Sequence, residues 1–388
     1  MIALALSGGG ARAMAFHLGC FRALHDRGIL DQVKVMSSVS GGSVLGACWA
    51  YRGEDFEAFD KHMVEVLGRG IQGDIVREVF CSPVGLKIVA TQLFTGMLSA
   101  VIWVLTFVLS CVRLLLGLPT SAVERALQAF ARDLPVWGSL TTAFEAALAR
   151  QLFGDATVDR VRRPGLTVII NACDLTTGTA FRFSSGRSGG WRYGDVTGAP
   201  LSVAKAVAAS AAYPILLPPL IETFVFEKKG ERQKHTVALT DGGVFDNLGV
   251  SVLEPGRAHD HAYIDRVTHL ISLNAGGGQF DAGAHPYWLV GRITRSFEAV
   301  YRKGQDAVYQ RLHKYVEVGD LRAFGMVYLG QQDGKLPWTP ADLVTRERVK
   351  DYPTDFSPMT EESLNLLARR GEQLTHIIVE RYLAELAN

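Results

Sequence analysis

The sequence predicts an α/β fold, a three-layer α/β/α sandwich around a mainly parallel central sheet. Three observations predict it. Residues Ile2 to Leu6 form a short apolar run that stops at Ser7-Gly8-Gly9-Gly10 and passes into a helical pattern. Residues 33–50 repeat the order of strand, tight turn and helix. A further strand-like run, Thr236 to Thr240, ends in Asp241-Gly242-Gly243. Short apolar runs bounded by glycine suit interior strands, and strands that alternate with helices build parallel sheets.

Composition narrows the class before any motif is read. The chain has 388 residues, 48% hydrophobic and 20% charged, enough to build a substantial core and too apolar to be disordered. A formal net charge of +1 gives no sign of a nucleic-acid partner. The five cysteines (Cys20, Cys48, Cys81, Cys111, Cys173) are widely spaced and include no CxxC pair. Neither a disulfide framework nor a zinc site is indicated, and a reducing, cytoplasmic setting fits. The N-terminus lacks a basic region and its apolar run is too short for a signal peptide.

The first helix follows the glycines: Met14, Phe16, Leu18, Phe21 and Leu24 fall at helical spacing, and Gly28 suits its end. Glycines between a strand and a helix turn backbone N–H groups outward and let a ligand approach, so the turn suits an anion. Two readings are open. Gly8, Gly10 and Ala13 match the dinucleotide pattern G-x-G-x-x-G/A, but no acidic residue follows the next strand, Val33 to Ser38. The other reading is an oxyanion hole, which needs a nucleophile on a neighbouring strand.

The second turn supplies one. Ser38-Val39-Ser40-Gly41-Gly42 is the nucleophile-elbow pattern G-x-S-x-G with serine in the first glycine's place. Ser40 stands between strand and helix, where an elbow lifts a hydroxyl above the sheet edge. A serine nucleophile needs a base. The ten histidines are poorly placed for this: His17 and His25 lie inside the first helix, and His259, His261 and His269 near a loop and strand. Asp241 ends a strand and enters a glycine turn, where it either takes the Ser40 proton as a Ser-Asp dyad or only caps the turn; Asp246 and Asn247 are weaker candidates.

These motifs together resemble the patatin-like phospholipases. "SGGGAR", "SVSGG" and "DGG" stand in that family's order, and "AVAASAAYPILLPPL" and "NACDLTTGTAFRF" resemble its intervening segments. The resemblance covers roughly residues 1–255. It implies a patatin-like sandwich and a serine acyl hydrolase of lipids, of phospholipase A or lysophospholipase type. Ser40 matches the nucleophile, Asp241 the base, and Gly8, Gly9 and Gly10 the oxyanion loop, with Arg12 its basic residue. Ala13 replaces a glycine common after that basic residue. No metal or organic cofactor is implied. A nucleotide-binding protein using the Gly8–Gly10 turn, and a membrane-docked scaffold with an idle dyad, are the alternatives.

Between the two catalytic candidates lies an uncharged stretch, Ile88 to Val112, long enough to cross a membrane. A single crossing would separate Ser40 from Asp241. Two crossings need about twice 20 residues plus a turn, and only 33 lie between Gly85 and Pro119. A docked or re-entrant segment on a lipid surface at about 88–118 is expected, with Trp103 and Arg113 as interface anchors. A buried core helix and an oligomer interface are the other readings; oligomeric state is left open. The localisation implied is cytoplasmic, peripheral or monotopic. Residues 1–284 read as the catalytic domain, with an apolar insertion at about 86–118, and 285–388 as a helical C-terminal extension. Within the latter, residues 285–315 and 360–386 read as helices, Thr360 capping the second.

Overall fold

The computed structural model describes residues 1–117, 122–132, 134–255, 267–278 and 287–386. Pro119, His259 and His261 lie outside them. The strands are β1 (Ile2–Leu6), β2 (Val33–Ser38), β3 (Thr167–Asp174), β4 (Thr179–Ser184), β5 (Gly189–Gly190), β6 (Gly194–Thr197), β7 (Leu220–Lys228), β8 (Glu231–Asp241), β9 (His269–Asn274) and β10 (Ala323–Tyr328). The helices are α1 (Gly10–Asp26), α2 (Gly41–Arg52), α3 (Phe56–Arg69), α4 (Gln72–Cys81), α5 (Pro83–Leu116), α6 (Ala122–Arg132), α7 (Leu140–Leu148), α8 (Val203–Ser210), α9 (Gly243–Asp246), α10 (Leu289–Glu317) and α11 (Glu361–Tyr382).

All ten strands join one sheet in the order β10-β9-β1-β2-β3-β4-β5-β6-β7-β8, and β8 pairs back onto β3. The fold is α/β, but the sheet is mixed where a mainly parallel one is expected. From β10 to β3 every pairing is parallel; from β3 to β8 every pairing is antiparallel. The cause is short connections. The Asp174 carboxylate accepts from the Thr176 and Thr177 hydroxyls and turns β3 directly into β4. Lys229 and Gly230, with φ of 54° and 84°, form a two-residue loop between β7 and β8. Positive φ at both positions matches the strand twist of a tight hairpin.

Side chains alternate along β1 and divide the core. Leu4 and Leu6 face the larger cluster with Phe16 and Leu18 of α1 and Leu367 of α11. Ala3 and Ala5 face a smaller cluster with Leu248, Val250, Phe324 and Leu312 of α10. Helices therefore cover both faces. Residues 285–388 do more than extend the chain with helices: β10 lengthens the parallel edge beside β9, and α11 packs along α1.

α5 departs from the compact body. By length and composition it is apolar enough to cross a membrane, and only 6% of its most apolar stretch is buried. It is not a buried core helix. Its base is seated on α4 and α7. At that base the Thr91 hydroxyl oxygen accepts the N–H groups of Trp137 and Gly138 at 3.0 and 3.1 Å. The chain thus leaves the body at Thr91, runs out along α5, returns with α6 against it, and re-enters beside Thr91.

Candidate active site

Ser40 and Asp241 meet because two strands share one edge of β3. β2 pairs with the first half of β3, and its last residue, Ser38, stands opposite Ile170. β8 pairs with the second half in the opposite sense, and its last residue, Asp241, stands opposite Ala172. The carboxyl ends of the two strands abut across Asn171. The Asn171 amide donates to Ser37 Oγ and to the Ser38 carbonyl, at 2.8 and 3.0 Å, and fixes the junction.

Ser40 follows β2 and precedes α2 with φ 51° and ψ −123°. A non-glycine residue at positive φ is strained, and such strain persists only where the surroundings enforce it. Buried hydroxyls supply the enforcement. Ser40 N–H donates to Ser210 Oγ at 3.0 Å. Ser210 Oγ lies 2.9 Å from Ser43 Oγ, Ser43 donates to Ser38 Oγ at 3.1 Å, and Ser38 donates to the Ile169 carbonyl at 3.3 Å. With Ser210 as donor to Ser43, each hydroxyl in this chain has both a donor and an acceptor. Serine in the first elbow position is therefore a bonded member of the network. Ser210, at the end of the small-residue helix α8, is a member that the sequence patterns do not single out.

Asp241 is 3% exposed. Its N–H donates to the Ala212 carbonyl at 3.0 Å, and its Oδ1 accepts the Gly243 N–H at 2.7 Å. Ser40 lines the same cavity as this carboxylate, and its hydroxyl lowers the Asp241 pKa. Burial pushes the carboxyl up to about 7, against the opposing pull of the Gly243 N–H hydrogen bond and the Ser40 hydroxyl. A carboxylate poised near neutrality is suited to take and return a proton. His17 cannot serve: burial drives its imidazole down to about 3, and its Nε2 sits 3.2 Å from the Leu273 carbonyl oxygen.

The glycine turn divides its donors. Gly8 does not offer its N–H to a ligand, because it donates to the Asn247 carbonyl at 3.0 Å. Gly9 and Gly10 N–H have no intramolecular acceptor among the described residues, so of the three glycines in the turn these two keep amides for a ligand. Gly9 and Gly10 adopt φ of 136° and 53°, which turn their amides outward. Gly41 touches this turn: a Cβ there would lie 2.2 Å from the Gly10 carbonyl oxygen.

Arg12 is turned toward the C-terminal loop, its Nη1 donating to the Tyr352 carbonyl at 3.1 Å and the Lys350 carbonyl at 3.3 Å. The same loop closes the α1 N-terminus, where Ala11 N–H donates to the Asp355 carbonyl at 3.0 Å. That contact occupies the Ala11 amide at the helix N-terminus.

A cavity of about 380 Å3 opens over Ser40 and Asp241. Ile75 of α4, Tyr213, Leu216 and Leu217 give it an apolar wall, and Tyr301 and Arg302 of α10 reach it from the C-terminal part. An elbow serine, a buried carboxylate, the Gly9–Gly10 turn and an apolar wall line this one cavity, an arrangement whose chemistry suits acyl transfer.

The fold defines the class as α/β proteins, here with an elbow serine and a buried carboxylate at one cavity. Residues 4–253 match the family model of the patatin-like phospholipases, so the chain belongs to that family of lipid hydrolases. Comparison with curated protein sequences gives no significant match. Among solved structures, human GIVD cytosolic phospholipase A2 aligns with a TM-score of 0.50 and 16% identity, covering 100% of this chain and 62% of that one. The same human enzyme in complex with methyl gamma-linolenyl fluorophosphonate and terbium chloride aligns with a TM-score of 0.50 and 14% identity, over 100% and 59%. VipD from Legionella pneumophila aligns with a TM-score of 0.39 and 16% identity, over 98% and 67%. The chain thus spans about three fifths of the human enzyme's length.

Proposed function

We propose that this protein is a serine acyl hydrolase of membrane lipids, of phospholipase A or lysophospholipase type, working through Ser40 and Asp241. The observation that carries the reading is that the strained elbow serine and a buried carboxylate pushed up to about 7 line one cavity, at the ends of two strands that share an edge of β3. Asp241 takes the Ser40 proton as Ser40 Oγ attacks the ester carbonyl. The Gly9 and Gly10 amides stabilise the resulting oxyanion. Asp241 passes the proton to the departing alcohol, and Ser40 is left acylated. Water then attacks the acyl carbon, Asp241 again taking a proton, and the fatty acid leaves as Ser40 recovers its hydrogen.

The α5–α6 hairpin docks on the bilayer in this scheme, in a peripheral or monotopic mode from the cytoplasmic side. α4 supports it: Ile75 lines the cavity, and α4 packs on the base of α5. A docked hairpin thereby brings the cavity mouth near the lipid surface.

The test is covalent labelling. A fluorophosphonate lipid, the class of compound bound by the human enzyme of like fold, is expected to add to Ser40 in the wild type and not in Ser40→Ala. Ester hydrolysis is expected to vanish in Ser40→Ala while the circular dichroism stays unchanged. Turnover that persists in a folded Ser40→Ala protein overturns the assignment.

A further inference from the structure

Tyr301 lies on α10, outside the stretch that matches the family. Its ring is half-buried and it lines the cavity. A Cβ built on Gly243 would lie 2.0 Å from the Tyr301 hydroxyl and 2.9 Å from both Asp241 Oδ1 and Asn247 Oδ1. Three oxygens, from α10, the end of β8 and the residue after α9, thus surround Gly243 beside Ser40 and Asp241, near enough to one another for one water to bridge them. Asn247 also reaches toward the nucleophile: a Cβ on Gly8 would lie 2.3 Å from Asn247 Oδ1 and 3.2 Å from Ser40 Cβ.

We propose that Tyr301 is a catalytic residue that holds the deacylating water, acting together with Asp241 and Asn247. The proposal rests on the acyl-enzyme reading above. Once Ser40 is acylated it has no proton to donate, and the Asp241 carboxylate accepts from a water instead. A water in the shared space then donates one hydrogen to Asp241 and the other to Asn247 Oδ1, and accepts the Tyr301 hydroxyl. Its remaining lone pair is left for the acyl carbon. As the water oxygen bonds to that carbon, Asp241 takes the first proton; the carbon–Ser40 Oγ bond then breaks, and the proton passes to Ser40 Oγ. Tyr301 gains and loses no proton. Its environment keeps it a donor: burial raises its pKa well above the usual phenol range, and the Asp241 charge adds to this.

Tyr301→Phe removes the hydroxyl and keeps the ring. With a soluble p-nitrophenyl ester, the variant is expected to show a kcat lowered on the order of tenfold, the scale of one well-placed hydrogen bond. Its kcat/KM, which ends at acylation, is expected to stay at the wild-type value. A nitrophenol burst equal to the enzyme concentration and an acyl adduct on Ser40 by mass spectrometry are expected to accompany the loss. Labelling by a fluorophosphonate at the wild-type rate reports that the variant is folded and its dyad intact. If kcat and kcat/KM fall together, or if kcat is unchanged and no burst appears, Tyr301 does not hold the water. If the wild type itself is not labelled at Ser40, the hydrolase reading fails, a result separate from the other two.

Discussion

Asp241, the proposed base, shows at the scale of one residue how a buried carboxylate is held at the expense of stability. Its folded pKa of about 7 stands above the ordinary value of 3.8 because burial disfavours the charged form. Below about pH 4 the carboxyl is protonated in both folded and unfolded chains, and its burial costs little. Between there and about 7 the folded protein keeps a proton that the unfolded chain releases. Stability therefore falls as pH rises through that window, and the full penalty stands above it. Asp241→Asn is neutral throughout and keeps an oxygen for the Gly243 N–H. The variant is expected to be more stable than the wild type at pH 8, by an amount on the order of a few kcal/mol, with the difference closing near pH 4. Urea unfolding at the two pH values measures it. The wild type's activity on a soluble ester is expected to rise through about pH 7 as the base ionises. A flat profile across that range would remove Asp241 as the base.

At the scale of elements, the start of α1 is clamped between the dyad and the C-terminal loop. Gly10 has φ 53°, and a Cβ there would lie 1.6 Å from the Thr354 carbonyl oxygen, a backbone atom that cannot swing aside alone. Gly10→Ala is expected to lose roughly 2–4 kcal/mol, combining left-handed strain with displacement of the loop. It is also expected to lose at least about tenfold in turnover as the Gly9 and Gly10 amides shift. Denaturant titration and steady-state kinetics check both; an equally stable, active variant would show that the loop does not seat on this turn. The contrast between this turn and the rest of the site explains what could be read in advance. β1, β2 and β9 are short apolar runs, the glycines and Ser40 follow β1 and β2, and Asp241 ends β8 at a glycine turn, so spacing alone exposes them. The meeting of β2 and β8 along one edge of β3 is a non-local pairing that no local pattern encodes. The β7–β8 hairpin turns through Lys229-Gly230, which lacks the usual asparagine or aspartate signal. Ser210 and Tyr301 act only through neighbours far away in the chain, and β10 is hidden among helices.

At the scale of the whole molecule, the α5–α6 hairpin reconciles a span-length apolar helix with a dyad whose halves flank it. Beyond Thr91, α5 runs to Leu116, roughly 38 Å at about 1.5 Å per residue, comparable with the hydrocarbon thickness of a bilayer. Most of that length is bare: Leu114 and Leu115 are 80% and 85% exposed, and Trp103 67%. So much apolar surface on one projection marks an interaction site, and a lipid surface suits a helix that is apolar all round. Because the chain returns to Trp137 beside Thr91, both flanks lie on the side of the body. Replacing Gln92–Val136 by a short glycine-serine turn is therefore expected to leave Ser40 and Asp241 in place. Activity on a soluble short-chain ester should stay within about twofold, while vesicle binding is lost and hydrolysis of vesicle lipid falls at least about tenfold. Two native thiols report the geometry directly. Cys81 at the end of α4 and Cys111 far along α5 are both exposed, whereas Cys20, Cys48 and Cys173 are buried. In water a thiol reagent should label both exposed cysteines; with phospholipid vesicles it should still label Cys81 and lose Cys111. Equal labelling of the two in the presence of vesicles would leave the hairpin in water. Proteolysis of the segments before α5 and after α6 from opposite faces of a vesicle would make α5 a true crossing and break the dyad's single-sided assembly.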